Sequence, residues 1–521
     1  METVERKWSV QQEDIFAWFE KDQHHFIGGN YRFNEDEYEV YIDVEGHLVV
    51  RARAGTGKTT TIVEGVNRAP ESSILVAAYN KKIAQELVLS VTNPNVTVKT
   101  LHAVGYAAVR RFRERIKCDF GNGRADSLTE LVCGKTAPDA IKRLVSKLHT
   151  KGREILPHAN KAGDLIEIAI KYECEPDESW ANSGFPLERI EEFALQAMEL
   201  ASQIKSGETI DGSDMIFLPV RNHWLQKEFD MVVIDEAQDM TNSQLEIAQG
   251  VNRGRTCIVG DDRQAIYGFR GADSNSIDRL KAELKASELG LTVTYRCPQS
   301  VVRLAQEIVF DFECGPNNEE GAVYDLHTSQ LATEAGPGDF ILSRVNAPLV
   351  SIAMKLLRSG KRTKVAGKDI GKGLVTLIRK FKATSVPDFL RKVESWETKE
   401  VNRLKILLAA ATSTNGRVST IQGKIEEVQD KAEMLISLSE GSKNIDEITN
   451  RIESLFTDDG QGDKGLIVCS SVHRAKGLET DKVFVLKDTL RYHNIEEDNI
   501  RYVSFTRAKQ TLVLVSDNVR M

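Results

Sequence analysis

The sequence predicts an α/β fold in which parallel sheets each carry a mainly helical insertion. Three observations support this prediction. Short apolar runs typical of buried strands alternate with helical patterns, two of these runs end in glycine-rich or carboxylate-rich tips, and strand signals become sparse at about 104–210 and 376–463. Strands that alternate with helices form parallel sheets, whose carboxyl ends meet at one edge. The residues that follow these strands are therefore the first candidates for a functional site.

The first of these strands, residues 47–50, runs into a glycine-rich turn at 51–60 that opens into a helix. Glycines allow backbone N–H groups to approach phosphate oxygens, Lys58 can reach the β- and γ-phosphates, and the Thr59 hydroxyl can hold Mg²⁺. An ordinary turn is the alternative, and the strand and helix on either side favour a phosphate-binding loop. The residues expected to line it are Ala54, Gly55, Thr56, Gly57, Lys58, Thr59 and Thr60.

Length and composition limit the class of protein. A chain of 521 residues is long enough for about three or four domains. Its hydrophobic content of 41% and charged content of 28% are typical of a soluble globular protein, and no apolar run is long enough to span a bilayer. The seven cysteines are scattered without a Cys-x-x-Cys pair, which argues against zinc ribbons, iron–sulfur clusters and a disulfide framework. A cytosolic protein is expected.

The segment before the phosphate-binding loop predicts one helix and a hairpin. Ser9 is expected to cap a helix that contains Gln12. The amide of that glutamine could read adenine, but on these residues alone a surface glutamine is the better interpretation. Residues 38–43 alternate in polarity, and Glu45 and Gly46 then turn into the strand at 47–50, which indicates a hairpin.

Two further strands are predicted after the loop helix. Residues 73–79 form a buried strand followed by a helix that starts near Asn80, and residues 96–102 form a strand that ends in a polar tip. The predicted helices of the first insertion are 107–116, 139–148, 162–172 and 187–204. Its most basic run, residues 110–117, is equally compatible with a solvated helix face and a phosphate-contacting face.

The strand at 229–234 ends in Asp235 and Glu236. Paired carboxylates at a strand end are what an ATPase with a phosphate-binding loop needs, one to hold Mg²⁺ and the other to orient and deprotonate water. The next strand, 256–259, leads to Gln264, which is placed to sense the γ-phosphate. The segment after Gln264 supplies aromatic and cationic surfaces on which bases can stack. The side chains that form them are Tyr267, Phe269 and Arg270.

Together these motifs resemble those of the UvrD/Rep/PcrA class of superfamily 1 helicases. Residues 235–239 and 260–264 are the strongest matches, and 294–298, 471–479 and 501–508 complete the set in family order. The resemblance implies two RecA-like domains with parallel sheets and ATP held between them. The catalytic residues it implies are Lys58, Asp235, Glu236, Gln264, Arg296 and Arg507, with Arg507 as the arginine finger, and Thr59 and Asp235 are the implied Mg²⁺ ligands.

The resemblance also assigns contacts outside the catalytic group. Gln12 becomes the residue that reads adenine, and Glu479 is placed for the ribose. The residues in DNA-contacting motifs are Asn80, Lys81, Thr100, His102, Tyr267, Phe269, Arg270 and His473. Phe269 stands where UvrD and PcrA carry tryptophan, so stacking is expected on a smaller face.

The domain boundaries follow from the order of the motifs. The expected segments are a first RecA-like domain at 1–103 and 211–290, interrupted by a helical insertion at 104–210, and a second at 291–375 and 464–521, interrupted by a small helical insertion at 376–463. The helices expected in the small insertion are 386–396, 401–411 and 420–438, with residues 460–462 as an exit linker. The short segment after Arg507 is expected to form a final strand and to leave no room for a fused nuclease.

The resemblance implies an ATP- and Mg²⁺-dependent DNA helicase that moves 3′-to-5′ on single-stranded DNA and unwinds tailed duplexes, as in DNA replication and repair. Residues 475–479 and 266–272 have the forms found in 3′-to-5′ members, whereas RecD-like enzymes carry a Ser-Gln-Gly form of the first. Within the class, 79–84 and 99–103 are more similar to F-box DNA helicases. A monomer without a membrane anchor, in the cytoplasm or the nucleus, is expected.

Two alternatives stay open at this point. One is a translocase that displaces bound proteins or serves a partner nuclease without unwinding alone. The other is a nucleotide-gated binding module, which the complete set of hydrolytic residues disfavours. The preference for DNA or RNA is also open.

Overall fold

The computed structural model describes residues 7–22, 30–33, 36–39, 42–121, 123–172, 174–176, 184–266, 276–410, 415–457, 465–491 and 494–518. The chain forms two compact units. The first comprises Met1–Ala52 and Gly57–Leu291, and the second comprises Arg53–Thr56 and Thr292–Met521. Both are α/β units with parallel sheets, as the sequence predicts. None of the described helices is both long and apolar enough to cross a membrane.

The strands of the first unit are β1 Asn30–Phe33, β2 Asp36–Glu39, β3 Leu48–Ala52, β4 Ile74–Ala78, β5 Val96–Thr100, β6 Lys117–Cys118, β7 Thr209–Ile210, β8 Phe229–Ile234, β9 Asn252–Gly260 and β10 Ser287–Leu291. Its helices are α1 Val10–Glu20, α2 Lys58–Arg68, α3 Lys81–Ser90, α4 Leu101–Phe112, α5 Gly123–Cys133, α6 Asp139–Ile155, α7 Ile166–Lys171, α8 Leu187–Ser202, α9 Gly212–Arg221, α10 Asn242–Val251 and α11 Ser276–Leu284. Short 3-10 turns follow β8 and β9, at Ala237–Asp239 and Asp262–Gln264.

Among the described residues, six strands of the first unit form a parallel sheet in the order β10-β3-β9-β8-β4-β5. Both faces of this sheet are covered, because alternate residues of a strand pack in different hydrophobic clusters. Leu48 and Val50 lie in a cluster with Ile62 of α2, whereas Val49 lies in a second cluster with Leu101 and Ile247. Strands buried on both faces read as continuous apolar runs, which is why β3, β4 and β8 are evident in the sequence.

Helices α5 to α8 form a helical layer with its own hydrophobic core, to which α9 and Trp224 also contribute. A buried ionic cluster lies beside this core. The Arg153 guanidinium donates to Asp211 at 2.8 and 3.0 Å and to Asp214 at 2.6 Å, and Arg153 and Asp214 are fully buried. Burial raises the pKa of Asp211, but the charge and hydrogen bonds of Arg153 outweigh it, and the net pKa is lowered.

Replacing Arg153 by methionine is expected to lower the free energy of unfolding by about 3–5 kcal/mol, because Asp211 loses its cation and Asp214 keeps only its ion pair with Arg124. Urea unfolding of the full chain measures this change. Arg143→Met is the matched control, since Arg143 is exposed on the same helix and should change stability by only about 0.5 kcal/mol. Equal effects of the two substitutions would show that the cluster contributes no net stability.

The strands of the second unit are β11 Val293–Thr294, β12 Glu313–Cys314, β13 Ala322–His327, β14 Phe340–Ser343, β15 Thr363–Ala366, β16 Phe456–Thr457, β17 Ile467–Ser471, β18 Thr480–Leu486 and β19 Ala508–Ser516. Its helices are α12 Gln299–Gln306, α13 Thr328–Glu334, α14 Ala347–Arg358, α15 Lys368–Phe381, α16 Val386–Ala410, α17 Asn415–Ser439, α18 Ile445–Leu455, α19 Val472–Ala475 and α20 Ile495–Phe505. In the described part of this unit, seven strands form a parallel sheet in the order β13-β19-β18-β14-β17-β15-β16.

The hairpin predicted before the phosphate-binding loop is wrong, because its strand pairs with a different partner. Residues 36–39 pair antiparallel with residues 30–33, whereas β3 is flanked by the parallel strands β9 and β10. The segment 36–39 is rich in acidic residues and does not suit a strand buried on both faces. Residues 40 and 41 lie outside the described part of the chain.

Several predicted helix boundaries also differ. The strand expected at 96–102 ends at Thr100, because the Thr100 hydroxyl accepts from the Ala103 N–H and caps α4. Helix α5 is absent from the predicted helices. The two helices expected at 386–396 and 401–411 are one helix, α16. The charged residues between them are compatible with an exposed turn, but they are also good helix formers. The exit linker expected at 460–462 lies outside the described residues.

Candidate nucleotide-binding site

Polar or glycine-containing segments follow five neighbouring strands of the first sheet. β3 precedes the phosphate-binding loop, β8 precedes Asp235, and β9 ends at Gly260. Asn80 and Thr100 lie at the ends of β4 and β5. Because all these strands are parallel, their carboxyl ends lie along one edge of the sheet.

The phosphate-binding loop has the backbone geometry of an anion site. Gly55 and Gly57 have φ angles of 72° and 80°, a region that residues with a Cβ atom rarely adopt. Helix α2 begins immediately afterwards, at Lys58. The first N–H groups of a helix have no intrahelical acceptor and favour bound anions. Thr59 is exposed on this first turn.

The Lys58 ammonium contacts both carboxylates that follow β8. Its Nζ lies 3.5 Å from Asp235 Oδ1 and forms a shorter ion pair with Glu236 Oε1. Burial lowers the pKa of Lys58, but the two carboxylates outweigh this effect, so the net pKa is raised and the lysine stays charged. At Asp235 burial prevails over the Lys58 charge and raises the pKa. The Asp235 carboxylate and the Thr59 hydroxyl are oxygen donors of the kind that suit Mg²⁺.

Glu236 adopts an unusual backbone conformation. Its φ angle is 52°, in the left-handed region that is uncommon for residues other than glycine. Its N–H donates to Asp235 Oδ1 at 2.9 Å. Such strain is typical of functional sites, where the surrounding structure holds the residue in place.

Hydrogen bonds connect this strand end to the end of β9. Gln238 donates from Nε2 to Glu236 Oε2 at 2.6 Å, and its Oε1 accepts from the Asp261 N–H at 3.1 Å. The Asp261 carboxylate accepts from Gln264 Nε2 at 2.7 Å and from the Arg263 N–H at 3.1 Å. Gln238 and Asp261 are fully buried. Gln264 is therefore joined to Glu236 through two intervening residues, the side chain of Gln238 and both the backbone N–H and the carboxylate of Asp261.

Gln12 lies against the first turns of α2. It is 6% exposed, so the surface interpretation is wrong. Its Oε1 accepts from the Ser9 N–H at 3.1 Å, which completes a capping box, and its Nε2 donates to the Thr61 hydroxyl at 2.9 Å. The prediction that Ser9 caps α1 is confirmed. The adenine contact of Gln12 stays a prediction.

Some of the residues predicted to contact DNA lie in the described part of the chain, and others do not. Asn80 caps α3, Lys81 begins it, and Thr100 caps α4. His102 is in the first turn of α4 and is exposed. Thus four predicted DNA contacts follow two adjacent strands. Tyr267, Phe269 and Arg270 lie outside the described residues.

The predicted motif residues of the second unit have defined partners. Arg296 Nε forms an ion pair with Glu479 Oε2 at 2.5 Å. This contact brings together a residue that is predicted to be catalytic and one that is predicted to contact the ribose. Arg507 is buried and donates from Nε to the Val503 carbonyl at 2.9 Å and from Nη1 to the Leu478 carbonyl at 3.3 Å. Burial and the nearby Arg296 charge lower the pKa of Arg507 to about 10. His473 is half-buried on the short helix α19.

The loop residues that belong to the second unit show partners that no motif indicates. The Arg53 guanidinium donates to both carboxylate oxygens of Asp311, at 2.8–3.1 Å, and both side chains are buried. The Ala54 N–H donates to the Tyr502 hydroxyl at 2.9 Å. Sequence reasoning missed Asp311 and Tyr502 because their partners are more than 250 residues away. Gln238 lies within the 235–239 motif that the sequence already indicates.

Two family models match the chain in order. The UvrD/REP helicase N-terminal domain matches residues 33–285, and the UvrD-like helicase C-terminal domain matches residues 466–515. These matches contain the phosphate-binding loop and paired carboxylates in the first case, and the motifs of Glu479 and Arg507 in the second.

Relatives are similar over different shares of the chain. F-box DNA helicase protein 1 of Schizosaccharomyces pombe is 23% identical over 525 residues, covering 90% of this chain and 55% of that protein. F-box DNA helicase 1 of Gallus gallus is 25% identical over 510 residues, covering 90% and 47%. ATP-dependent DNA helicase PcrA of Bacillus subtilis is 22% identical over 342 residues, covering 60% and 44%.

The chain spans about half the length of these relatives. The longer match to the two F-box helicases agrees with the resemblance seen at 79–84 and 99–103. With both family models matched in order, the chain belongs to the UvrD-like helicase family.

Proposed function

We propose that this chain is an ATP-dependent DNA helicase that moves 3′-to-5′ along single-stranded DNA and unwinds tailed duplexes. The contact of Lys58 with Asp235 and Glu236 carries the proposal. A phosphate-binding lysine and two carboxylates come from separate parts of the sequence, and together they supply the groups that ATP hydrolysis requires. The names of the relatives support the same activity, since they are DNA helicases and PcrA is ATP-dependent.

In the proposed mechanism, Lys58 and the N–H groups of 54–60 bind the phosphates. Thr59 and Asp235 would ligate Mg²⁺, which supplies charge neutralisation at the phosphate oxygens when bound. Glu236 orients the attacking water and accepts its proton. The remaining proposed contacts are Gln12 with adenine, Glu479 with the ribose, Gln264 with the γ-phosphate, and Arg296 and Arg507 with the charge that develops during transfer.

The proposed strand-binding surface begins at the ends of β4 and β5. Asn80, Lys81, Thr100 and His102 would contact the DNA backbone, and His473 would do so from the second unit. Tyr267, Phe269 and Arg270 would stack on bases, because base–aromatic stacking tolerates any sequence. Since they follow β9 by a few residues, a change at the nucleotide can reach them along a short stretch of chain.

Unwinding assays with 3′-tailed and 5′-tailed duplexes test this function. ATP-dependent strand separation is expected with the 3′ tail and not with the 5′ tail, and DNA and RNA forms of each duplex determine the preferred nucleic acid. Unwinding from the 5′ tail alone would contradict the proposed direction. Translocation on single strands without strand separation would favour an enzyme that displaces bound proteins or serves a partner nuclease.

Replacing Phe269 by alanine is expected to weaken single-strand binding by about 1–3 kcal/mol, because a stacking face is lost. This corresponds to a rise in Kd of about 5- to 150-fold, measured at fixed salt. Phe269→Trp should restore binding, since it enlarges the stacking face. Phe120→Ala is the matched control, because Phe120 is 79% exposed in the first insertion. An unchanged Kd for the alanine variant would place the stacking surface elsewhere.

A further inference from the structure

Helices α16, α17 and α18 occupy the segment expected as a small helical insertion, and they share the hydrophobic core of the second unit. Phe389 of α16, Leu435 of α17 and Ile448 of α18 pack in one buried cluster with Ile341 of β14 and Val350 of α14. The first insertion differs, because helices α5 to α8 form a core of their own. Shared apolar burial therefore anchors the small insertion to the second sheet.

Asp430 of α17 adds a polar contact to this shared core. Helix α14 begins after Asn346, and within the described residues the Asn346 side chain makes no capping hydrogen bond. The Asp430 carboxylate accepts from the N–H groups of Asn346 and Ala347, at 3.1 and 2.7 Å, and from Asn346 Nδ2 at 3.1 Å. A carboxylate at the N-terminus of a helix satisfies its free N–H groups and interacts favourably with the helix dipole. Thus α17 supplies the cap of α14.

Glu426 of α17 contacts a second segment of the same unit. It lies one turn before Asp430 and forms an ion pair with Arg491. Arg491 is three residues before Asn494, which is the N-cap residue of α20. Because residues four apart lie on the same face of a helix, one face of α17 contacts both the start of α14 and the segment that leads into α20.

Both contacted segments are connected to α20, the helix that precedes Arg507. Arg344 lies two residues before Asn346, and its guanidinium donates to both carboxylate oxygens of Glu497 at 2.9–3.1 Å. Glu497 is buried in the first turn of α20. At the other end of this helix, Arg507 donates to the Val503 carbonyl at 2.9 Å. A displacement of α20 would therefore move Arg507 with it.

We propose that α17 fixes the position of α20, and that Glu426 and Asp430 are positioning residues for Arg507. The proposal rests on the function proposed above, in which Arg507 stabilises the charge that develops during phosphoryl transfer. The two carboxylates touch neither ATP nor DNA in this scheme and act through the segments that hold α20. The effect falls on kcat, since an arginine finger contributes in the transition state and a misplaced catalytic group can slow a reaction by about 10²-fold.

The first test measures ATP turnover and ATP binding in the full chain with single-stranded DNA present. The double variant Glu426→Gln, Asp430→Ala is expected to lower kcat by about 10-fold or more and to change the Kd for ATP by less than about 3-fold. Glu427→Gln is the matched control, because Glu427 lies on the same helix and pairs with Lys431 of that helix. Its kcat should equal that of the unaltered protein. A normal kcat in the double variant would overturn the proposal.

The second test repeats the double substitution in an Arg507→Ala background. There it should lower single-turnover hydrolysis by less than about 2-fold, because residues that act through one group are not additive. An equal fold loss in both backgrounds would show an effect independent of Arg507, such as general destabilisation, and would overturn the proposal. Near-normal turnover of Arg507→Ala alone would instead contradict the role of Arg507 in the proposed function, and its positioning with it.

A charge exchange tests the ion pair without a large effect on folding. The side chains of Arg491 and Glu426 are 31% and 34% exposed, and ion pairs at such positions contribute little to stability. Glu426→Arg is expected to lower kcat by about 3-fold or more, because two like charges then repel at the segment before α20. Adding Arg491→Glu should restore kcat. An exchange that restores nothing would overturn the role of Glu426.

Discussion

Replacing Arg507 by alanine is expected to lower ATP turnover by about 10³-fold or more while ATP still binds. An arginine finger stabilises charge that develops only in the transition state, so its loss reduces kcat and leaves nucleotide affinity nearly unchanged. The pKa of Arg507 is lowered to about 10 by burial and by the Arg296 charge. The side chain therefore stays protonated up to about pH 9, and the loss should be equal at pH 6.5 and pH 8.5.

The control for this substitution separates catalysis from folding. Arg507 donates to two backbone carbonyls of its own unit, so thermal unfolding of each variant must be measured. Arg501→Ala removes an arginine of the preceding helix α20, one that pairs with Asp498 at 2.9 Å, and should change turnover only a few-fold. Arg507→Lys keeps the charge without the forked geometry and is expected to restore a small part of the rate. Near-normal turnover in a folded Arg507→Ala variant would remove the finger role.

Replacing Glu236 by glutamine is expected to leave ATP and DNA binding intact and to lower hydrolysis by about 10²- to 10⁴-fold. Glutamine keeps the size of the side chain but cannot accept the proton of the attacking water. Lys58 retains Asp235 as a partner at 3.5 Å, so the phosphate-binding group remains in place. Single-turnover hydrolysis and equilibrium binding of ATP measure the two effects separately.

Glu246→Gln is the matched control for the loss of a carboxylate. Glu246 lies in the same unit and pairs with His158 on the surface at 2.8 Å. Turnover of this variant should equal that of the unaltered protein. If Glu236→Gln also hydrolyses ATP at the normal rate, another residue orients the water, and Asp235 would be the next candidate to test.

Much of the fold could be predicted because the relevant signals are local. Strands β3, β4 and β8 each contain an uninterrupted apolar run, which is what burial on both faces of a parallel sheet requires. The prediction failed where strand pairing depends on residues that are far apart in the sequence. The sequence order predicts that residues 38–43 pair with β3, which they precede in the chain, but β9 and β10 lie on the two sides of that strand.

The sequence by itself determined the parallel α/β fold and the family, and it predicted the candidate residues of a nucleotide site, because each motif combines a strand end, a turn and a few side chains that lie close together in the chain. Only the tertiary structure decided the partners of those side chains. The ion pair of Arg296 with Glu479, the Arg53–Asp311 contact and the hydrogen bonds of Gln238 depend on which elements become neighbours when the sheets form. Burial then makes those contacts obligatory, since a polar group without a partner costs free energy inside the protein.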